Sequence, residues 1–417
     1  MSKRIVIICY IITLSSLIFS ALLPQSLFLN ELNYIKTSNS SEEFPSNFQV
    51  RQSVTYIVEV NFSFTQISGF GDYFFKLPRL NDRQPSSTLT PMCPPFQESE
   101  LLYHNLYGNI PAQTLINHTD RFQNTYDSYN ASLNFANPEV KLSSKYRVKL
   151  NEISFDNILP SDIGIYNTSH EIFELYCNQS NTFYNRTDPD LINLSNTIVN
   201  PTDGPITKAG KIINWISENI EYNGSLDKEI GASEAYSILM GDCSEYSSLM
   251  ITLLRIQNIP ARKVTGFCVS NVHNFKPEIG DEFIFHSRSD GTLNLLGHAW
   301  IEYYVPNIGW IACDPTWHQV TGTYFNQIDY LRFNYNVGEH FFFPPDQLHS
   351  EFPLPYATGF PSGAYSYEFE LKVTVVDTNY LGLDLLMLII IAIVIVSAVI
   401  FLITLLVLMK RKRKVDY

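Results

Sequence analysis

Residues 241–257 read GDCSEYSSLMITLLRIQ, and this stretch decides the fold of the middle of the chain. The mainly apolar residues 249–256 recur at helical spacing and cover most sides of the predicted helix, so we expect it to be buried. Pro260 ends the helix, because proline biases the preceding residue towards an extended conformation. Gly241 permits a tight turn just before Cys243. The cysteine is therefore predicted to stand at the mouth of a buried helix.

A cysteine in this position suits the role of a nucleophile. The free N–H groups at a helix N-terminus stabilise a thiolate and can bind an oxyanion. Asp242 lies beside it and works mildly against the thiolate. The alternative is an inert buried thiol, which is the common state of a lone cysteine on an apolar helix. Partners downstream decide in favour of the nucleophile.

Those partners are His298 and Asp314, at the ends of two predicted strands. Strands are predicted at 262–268, 298–304 and 310–314, and the loop 306–309 is a short hairpin turn. The hairpin brings the imidazole beside the carboxylate, and the helix packs across the sheet. A thiol, an imidazole and a carboxylate are a nucleophile, its base and the orienter of that base. His318 is the only serious rival to His298.

The strings around these residues, taken in this order, resemble the transglutaminase-like superfamily. They are WI at 215–216, NIEY at 219–222, GDC at 241–243 with YS at 246–247, LR at 254–255, IPARKVTGF at 259–267, HAWIE at 298–302, GW at 309–310 and DPTW at 314–317. The likeness is to prokaryotic or archaeal members anchored in a membrane. It implies an α+β, papain-like core at 205–335, in which a helix packs on an antiparallel sheet.

The resemblance also implies roles for the three residues. Cys243 attacks an amide carbonyl to form a thioester, His298 acts as base and then as acid, and Asp314 orients His298. The backbone N–H of Cys243 supplies half of the oxyanion hole, and the other donor is not placed. Trp300 and Trp310 either wall the site or serve as core aromatics. No Cys or His spacing is typical of a structural metal, and no acidic cluster resembles the calcium sites of animal transglutaminases, so we expect neither metal nor cofactor.

Two further regions complete the folded part. Alternating apolar residues at 54–62 open a β-rich, sandwich-like N-terminal domain at 51–200, after a polar stalk at 25–50. Residues 336–380 form a C-terminal β segment whose last strand, from 365 to 376, can rejoin that sandwich. The stretch between Cys268 and His298 is long for a compact domain, which predicts an active-site flap or an insertion. An amphipathic helix is predicted at 206–220.

Two apolar segments bracket the chain. Residues 1–24 resemble a signal peptide or signal anchor, with Lys3 and Arg4 before the apolar run. Residues 385–409 are uncharged and long enough to cross ~30 Å of hydrocarbon as a helix. Five consecutive cations begin the tail at 410–417 and predict that it is cytoplasmic. The catalytic part is therefore expected outside the cell, on a protein held by one or two membrane spans.

Composition supports an outside location. Asn-x-Ser/Thr sequons, which are glycan acceptors in secreted proteins, all precede Cys243; they are Asn39, Asn61, Asn117, Asn130, Asn167, Asn178, Asn185, Asn193 and Asn223. The formal charge of −13 disfavours nucleic acid as a partner. Six cysteines are too few for a disulfide framework, although Cys93 and Cys177 could pair in an oxidising exterior.

The sequence thus predicts a membrane-anchored, extracellular cysteine enzyme that forms a thioester on Cys243 and hydrolyses peptide or amide bonds of a protein or peptide substrate. A protein-glutamine acyltransferase, which passes the thioester to an amine, would use the same residues. A third reading from another class is an inactive surface adhesion or scaffold protein. The complete set Cys243, His298 and Asp314 argues against that reading.

Overall fold

The computed structural model describes residues 48–85, 92–108, 116–156, 158–180, 183–224, 226, 228–338, 341–343, 347–349, 356–359, 363–380 and 385–412. The predicted leader, most of the predicted stalk, Asn39 and the last five tail residues lie outside the described residues. All described residues fall in one of the two compact units of the chain.

The chain alternates between β-rich ends and a mixed middle. The strands are β1 (Gln49–Gln66), β2 (Gly71–Pro78), β3 (Gln97–Gly108), β4 (Ile116–Thr119), β5 (Thr125–Leu133), β6 (Glu139–Ser154), β7 (Glu221–Tyr222), β8 (Met240–Gly241), β9 (Ala261–Cys268), β10 (Glu282–Arg288), β11 (Gly297–Val305), β12 (Gly309–Cys313), β13 (Gln327–Ile328), β14 (Arg332–Val337), β15 (Phe341–Phe343), β16 (Gln347–His349), β17 (Tyr356–Gly359) and β18 (Tyr365–Asn379). The helices are α1 (Glu171–Tyr176), α2 (Pro189–Ile198), α3 (Pro205–Asn219), α4 (Gly231–Ile238), α5 (Cys243–Ile256), α6 (Pro315–Thr321) and α7 (Leu385–Lys412), with a 3-10 turn at Pro160–Asp162.

Two antiparallel sheets form the predicted sandwich. One has the order β10-β18-β1-β6-β13, with β3 also paired to β6, and the other has the order β17-β2-β5-β4. The inward side chains of β1 meet those of β2: the ring of Phe64 lies 4.7 Å from that of Tyr73 and 5.3 Å from that of Phe75. Burying alternate aromatic residues from both sheets is what joins such sheets face to face.

A third antiparallel sheet, β12-β11-β9-β14, carries the predicted catalytic strands. Helix α5 is buried from Ser244 to Arg255, and its apolar residues share a core with Trp300, Ile301 and Tyr303 of β11. The predicted helix on an antiparallel sheet is therefore confirmed. The predicted bounds of this helix and of its three strands agree with the observed ones to within one residue at each end.

The other face of this third sheet does not meet solvent. Phe267 and Phe333 belong to the core of the sandwich, where the ring of Tyr56 lies 5.0 Å from that of Phe333. The sandwich and the third sheet thus share one hydrophobic core. Because each covers apolar surface of the other, we expect neither to be stable when separated from its neighbour.

One prediction about a boundary needs correction. The range 51–200 is not β-rich throughout, because its end forms α1 and α2, and Ile172, Leu191 and Leu194 pack in the core around α5. Of the two alternatives for the stretch between Cys268 and His298, a flap or an insertion, the structure agrees with an insertion. Its strand β10 pairs with β18 at the edge of the first sheet, and only its two ends approach the predicted site. Backbone pairing and burial of Phe285 hold this insertion to the sandwich.

The C-terminal region returns to the start of the fold. Strand β18 pairs with β1 over most of its length, as the alternation in its sequence allowed. Helix α7 follows it in the chain. Its side chains are described for residues 389–404, and among the described residues no helix is both long and apolar enough to cross a membrane. The transmembrane helix predicted at 385–409 is therefore not confirmed.

The disulfide that Cys93 and Cys177 could form is not present, because both are buried, free thiols. The Sγ of Cys93 accepts a hydrogen bond from Arg262 at 3.0 Å, whereas the thiol of Cys177 faces the carbonyl of Arg255 at 3.8 Å. Of the sequon asparagines that the structure describes, five are exposed to solvent: Asn117, Asn130, Asn167, Asn178 and Asn193.

Candidate active site

Helix α5 begins with a reciprocal cap at Asp242. A carboxylate oxygen of Asp242 accepts the N–H of Ser244 at 2.7 Å, and Glu245 accepts the N–H of Asp242 at 3.2 Å. This arrangement satisfies two of the backbone donors that a helix start leaves unpaired. Cys243 is the first residue of the helix and is half-buried. The cap therefore fixes the backbone on which the thiol stands.

Gly241 is required for space rather than for an unusual backbone angle. A Cβ at this position would lie 2.3 Å from the Cβ of Glu245, far inside contact distance. The same glycine belongs to β8, which pairs in parallel with Tyr222 of β7. The missing side chain thus lets the turn, the cap and a neighbouring strand converge just before Cys243.

Glu245 has a second role beyond the cap. Its carboxyl also accepts the N–H of Ile230 at 2.9 Å, which ties the start of α4 to the start of α5. Burial, and next the neighbouring Asp242 carboxylate, raise the pKa of Glu245 to about 7. The spacing Asp-x-x-Glu before an apolar run is a capping-box signal, so this residue could have been found from the sequence.

His298 and Asp314 are brought together by the β11–β12 hairpin. The pairing of Ile301 with Cys313, extended by one residue, places Asp314 opposite Trp300. His298 lies two residues from Trp300, and so on the same face as its diagonal neighbour Asp314. The Nε2 of His298 lies 2.6 Å from a carboxylate oxygen of Asp314. Nδ1 is therefore the ring nitrogen left to act on a thiol.

The carboxylate of Asp314 is fully buried and fully engaged. One oxygen binds His298 and, at 3.0 Å, the Nε of Arg332; the other accepts the N–H of Trp317 at 3.0 Å and thereby caps α6. Burial alone would raise the pKa of Asp314, but the charges of His298 and Arg332 outweigh it and lower this pKa to about 2. Asp314 is consequently an anion at any physiological pH.

Arg332 is a residue of the site that the sequence did not indicate. It lies on β14, is itself buried, and pairs with Asp329 as well as with Asp314. Its guanidinium carbon lies 4.3 Å from the ring centre of Trp317 and 4.6 Å from that of Tyr324, within cation–π distance. No local motif identifies it, because it reaches the site only through the pairing of β14 with β9.

A cavity of about 410 Å³ opens beside His298. Its walls come from β7, from both ends of the 269–297 insertion and from α6; the lining residues are Tyr222, Cys268, Asn271, His273, Leu296, Gly297, His298, Thr316, Trp317, Gln319, Val320 and Thr321. Burial, and then the nearness of Cys243 and of Asp242, raises the pKa of Tyr222 to about 12. Tyr222 therefore links the surroundings of the thiol to the cavity that His298 lines.

The rival residues occupy other positions. His318 pairs with the side chain of Asn214 at 3.2 Å, and burial lowers its pKa. Trp300 and Trp310 are both buried, which agrees with the alternative that they serve as core aromatics. The tryptophan that lines the cavity is Trp317.

One group of side chains has the spacing of a metal site among the described residues: His286, Glu368 and Glu370 on the edge strands of the first sheet. Arg288 already binds Glu368 at 2.6 Å, so the group has its own counter-charge. It lies outside the cavity beside His298. These residues do not form a metal centre for the site.

Comparison with known proteins agrees with the geometry. Residues 192–315 match the model of the transglutaminase-like superfamily, a range that contains Cys243, His298 and Asp314. This part of the chain belongs to the transglutaminase-like superfamily. The superfamily comprises cysteine-dependent enzymes, and its fold is the mixed one described above, with antiparallel sheets.

Similarity to individual known proteins is limited in extent. An uncharacterised protein of Haemophilus influenzae is 24% identical over 135 residues, which is 31% of this chain and 36% of that protein. A protein-glutamine gamma-glutamyltransferase of Pseudomonas aeruginosa is 32% identical over 77 residues, or 18% of this chain and 10% of that enzyme. The chain thus spans between about a tenth and a third of the length of these relatives.

Among solved structures, a candidate cysteine protease of Cytophaga hutchinsonii aligns with 79% of this chain and 93% of its own, with a TM-score of 0.46 and 15% identity. The periplasmic domain of TgpA from Pseudomonas aeruginosa aligns with 62% of this chain and 90% of its own, with a TM-score of 0.30 and 15% identity.

Proposed function

We propose that the chain is a cysteine hydrolase that cleaves peptide or side-chain amide bonds through a thioester on Cys243. The observation that carries the proposal is the buried pair of His298 and Asp314, joined at 2.6 Å, in a fold where a cysteine begins the buried helix α5. A nucleophile, a base and an oriented carboxylate are the minimum for this chemistry.

The reaction follows from these positions. Nδ1 of His298 takes the thiol proton as Sγ of Cys243 attacks the amide carbonyl, and the oxyanion is held by the backbone N–H of Cys243. His298 then gives the proton to the departing amine, the C–N bond breaks, and a thioester is left. A water molecule, deprotonated by His298, attacks the thioester; the acid departs and the thiol recovers its proton.

Asp314 keeps its negative charge throughout this cycle. Its pKa of about 2 lies far below that of an ordinary carboxyl, because His298 and Arg332 both favour the anion. An anion at this position holds the imidazole in one orientation and stabilises the imidazolium that forms in each half of the reaction. Asp314 therefore orients the base without exchanging a proton with it.

A second candidate is transfer of the acyl group to an amine, which would make the protein a protein-glutamine acyltransferase. The observation in its favour is the similarity to the Pseudomonas aeruginosa enzyme, whose name states this activity. The two reactions share the first half and differ in whether water or an amine reaches the thioester. The inactive adhesion or scaffold role is less favoured, since the full set of reacting groups is present.

We also propose an extracellular or periplasmic location for this site, on a protein anchored in the cell membrane. The support is in the sequence: the uncharged run at 385–409 is followed by five cations, and a second apolar segment begins the chain. Protease digestion of intact cells and of opened membranes would locate the site. Cleavage of the catalytic region in both preparations supports the proposal, and protection in intact cells contradicts it.

The activity is tested on the full-length protein in mild detergent. A library of quenched fluorescent peptides reports hydrolysis, and a glutamine peptide with a fluorescent primary amine reports transfer. We expect Cys243→Ala and His298→Ala to abolish turnover of the preferred substrate. Cys177→Ala, which removes another buried thiol, is the matched control and should retain activity.

Alkylation gives an independent readout that needs no substrate. Cys243 is half-buried, whereas burial raises the pKa of Cys268 to about 12 and also raises that of Cys313. Iodoacetamide near neutral pH should therefore modify Cys243 first, and His298→Ala should slow the modification. Equal labelling of all the thiols, with no effect of His298→Ala, would exclude a cysteine enzyme.

A further inference from the structure

The cavity beside His298 differs in charge from the rest of the chain. Although the protein has a formal charge of −13, none of the described residues that line this cavity is Asp, Glu, Lys or Arg. The imidazoles in its lining are those of His273 and His298. Asp314 lies behind the wall, fully buried and neutralised by Arg332.

Apolar side chains form part of the lining of this cavity. Val320, in the last turn of α6, has 74% of its surface exposed, and Tyr222, on β7, has 51% exposed. Leu296 and Trp317 are further apolar residues of the lining. Side chains of this kind on a concave surface are the usual lining of a ligand site, where a partner removes them from water.

The position of the cavity relates it to the reaction. His298 belongs both to the lining and to the pair with Asp314, and Tyr222 lies near Cys243. A volume of about 410 Å³ accommodates one large side chain with its backbone. A residue next to an amide that reacts at Cys243 and His298 is therefore the part of a peptide that this cavity suits.

We propose that this cavity binds an uncharged aliphatic or aromatic side chain of a peptide substrate, adjacent to the amide that reacts; the assignment rests on the proposed function. A carboxylate or an ammonium group placed there would lose water without gaining a counter-charge, which is costly. An apolar side chain gains by covering Val320 and Tyr222. The site therefore selects its substrates by an apolar residue beside the amide.

Binding to a form that cannot react tests this directly. Fluorescein-labelled hexapeptides with one central glutamine would carry Leu, Phe, Glu or Lys either just before or just after it. Anisotropy would measure their binding to the full-length Cys243→Ala protein in mild detergent. We expect Leu and Phe at one of the two positions to bind at least tenfold more tightly than Glu and Lys at that position.

Two substitutions then identify the cavity as the site of this preference. Val320→Glu and Val320→Lys, each made in the Cys243→Ala protein, should abolish the preference for Leu and Phe, and should favour Lys and Glu peptides respectively. Val320 is largely exposed, so neither change disturbs the core. Ile165→Glu is the matched control, because Ile165 is 95% exposed and is not among the cavity residues.

The outcomes separate the two proposals. The assignment is supported if Leu and Phe peptides bind preferentially, if Val320→Glu removes this preference and if Ile165→Glu leaves it intact. This result does not require that any peptide is turned over. Binding without side-chain preference, absence of binding by any peptide, or a preference that both Val320 variants leave unchanged would overturn it. Failure of the proposed function is seen separately, as the absence of turnover and of Cys243 labelling in the unmodified protein.

Discussion

Strand β11 contributes one residue to each of two charged clusters. The difference between the clusters bears on the proton transfer that we propose for one of them. At one end, Asp314 meets His298 and Arg332; further along, Glu302 meets Arg83 and Arg262. Both carboxylates are almost completely buried, and both have lowered pKa values because the charges of their cationic partners outweigh the effect of burial. Each is therefore a paired anion inside the protein.

The two clusters differ in whether a cationic partner of the carboxylate can release a proton. Arginine keeps its proton at any accessible pH, so the cluster around Glu302 cannot exchange protons. Histidine gains or loses a proton near neutrality, and His298 also lines a cavity that opens to solvent. A histidine that lines a cavity, in place of a second arginine, is thus what would let this cluster move a proton in the proposed reaction.

The largest expected effect comes from breaking the pair that contains histidine. Asp314→Asn removes the charge that orients His298, and we expect turnover per folded molecule to fall by about 10²–10⁴-fold, the range typical of general acid–base catalysis. The measurement is kcat on material shown by circular dichroism to be folded. Activity within threefold of the unmodified protein would show that Asp314 does not orient the base.

Glu302→Gln makes the corresponding change in the cluster of Glu302 with Arg83 and Arg262. It leaves two buried guanidinium groups without their carboxylate, and breaking a buried pair in this way typically costs about 3–5 kcal/mol of stability. Urea unfolding would measure the loss, and kcat of the folded fraction should be unchanged. If kcat fell as far as in Asp314→Asn, the division between a structural and a reactive cluster would be wrong.

Arg332 sharpens the comparison, because it belongs to the reactive cluster and touches no reacting atom. Arg332→Gln should raise the pKa of Asp314 from about 2 towards its ordinary value, since a positive charge at 2.9 Å is lost. We expect about tenfold lower kcat, equal to ~1.4 kcal/mol, and an acidic limb of the pH–activity profile that moves to higher pH.

Arg332→Lys keeps the positive charge, so its acidic limb should return most of the way to the pH of the unmodified protein. If Arg332 had only a structural role, the acidic limb would not depend on this charge. Should Arg332→Gln fail to fold, the double variant with Asp329→Asn removes the second uncompensated carboxylate and permits the same measurement. A pH profile that is identical in all of these proteins would contradict a positioning role.

The last prediction concerns the buried carboxyl of Glu245, which accepts hydrogen bonds from backbone N–H groups. The pKa of Glu245 is raised to about 7 in the folded protein, whereas an unfolded chain has an ordinary value of about 4.3. Between these values the unfolded chain releases the proton and the folded chain keeps it, so stability falls as pH rises through this window. We expect a loss of about 1–3 kcal/mol from this group, as one pKa unit equals about 1.4 kcal/mol.

Urea unfolding at intervals from pH 4.5 to 7.5 measures this loss, and Glu245→Gln is the reference that does not titrate. The difference in unfolding free energy between the two proteins should decrease by about 1–3 kcal/mol as the pH rises from the pKa of the unfolded chain to that of the folded protein. The window lies above that of Asp314, whose contribution is lost only as pH falls below about 4 towards 2. A pH-independent difference would show that Glu245 is ionised throughout.

Part of the site could be predicted because its geometry is local. The turn at Gly241, the cap at Asp242 and the hairpin between His298 and Asp314 each depend on residues close in sequence, whose conformational preferences are independent of the rest of the fold. The strand at 365–376 was predicted for the same reason, from its alternation. The capping partner Glu245 could have been found by this reasoning and was missed.

The other part depended on segments that meet only in three dimensions. Strand β14 carries Arg332 to Asp314, β10 ties the insertion to the sandwich, and Tyr222 and Val320 line the same cavity. No local pattern marks these residues. Their positions follow from strand pairings and burial between segments far apart along the chain.

The sequence alone indicated the residues that we propose to react and their order: a cysteine that begins a buried helix, then a histidine and an aspartate on one hairpin. Helix caps, turns and strand periods are short-range, so these features could be predicted without the fold. Only the tertiary structure decided that Arg332 holds the aspartate, that the two β regions share one core, and that an uncharged cavity lies beside the histidine. Burial and charge pairing act between distant segments, and they take effect only when the chain has folded.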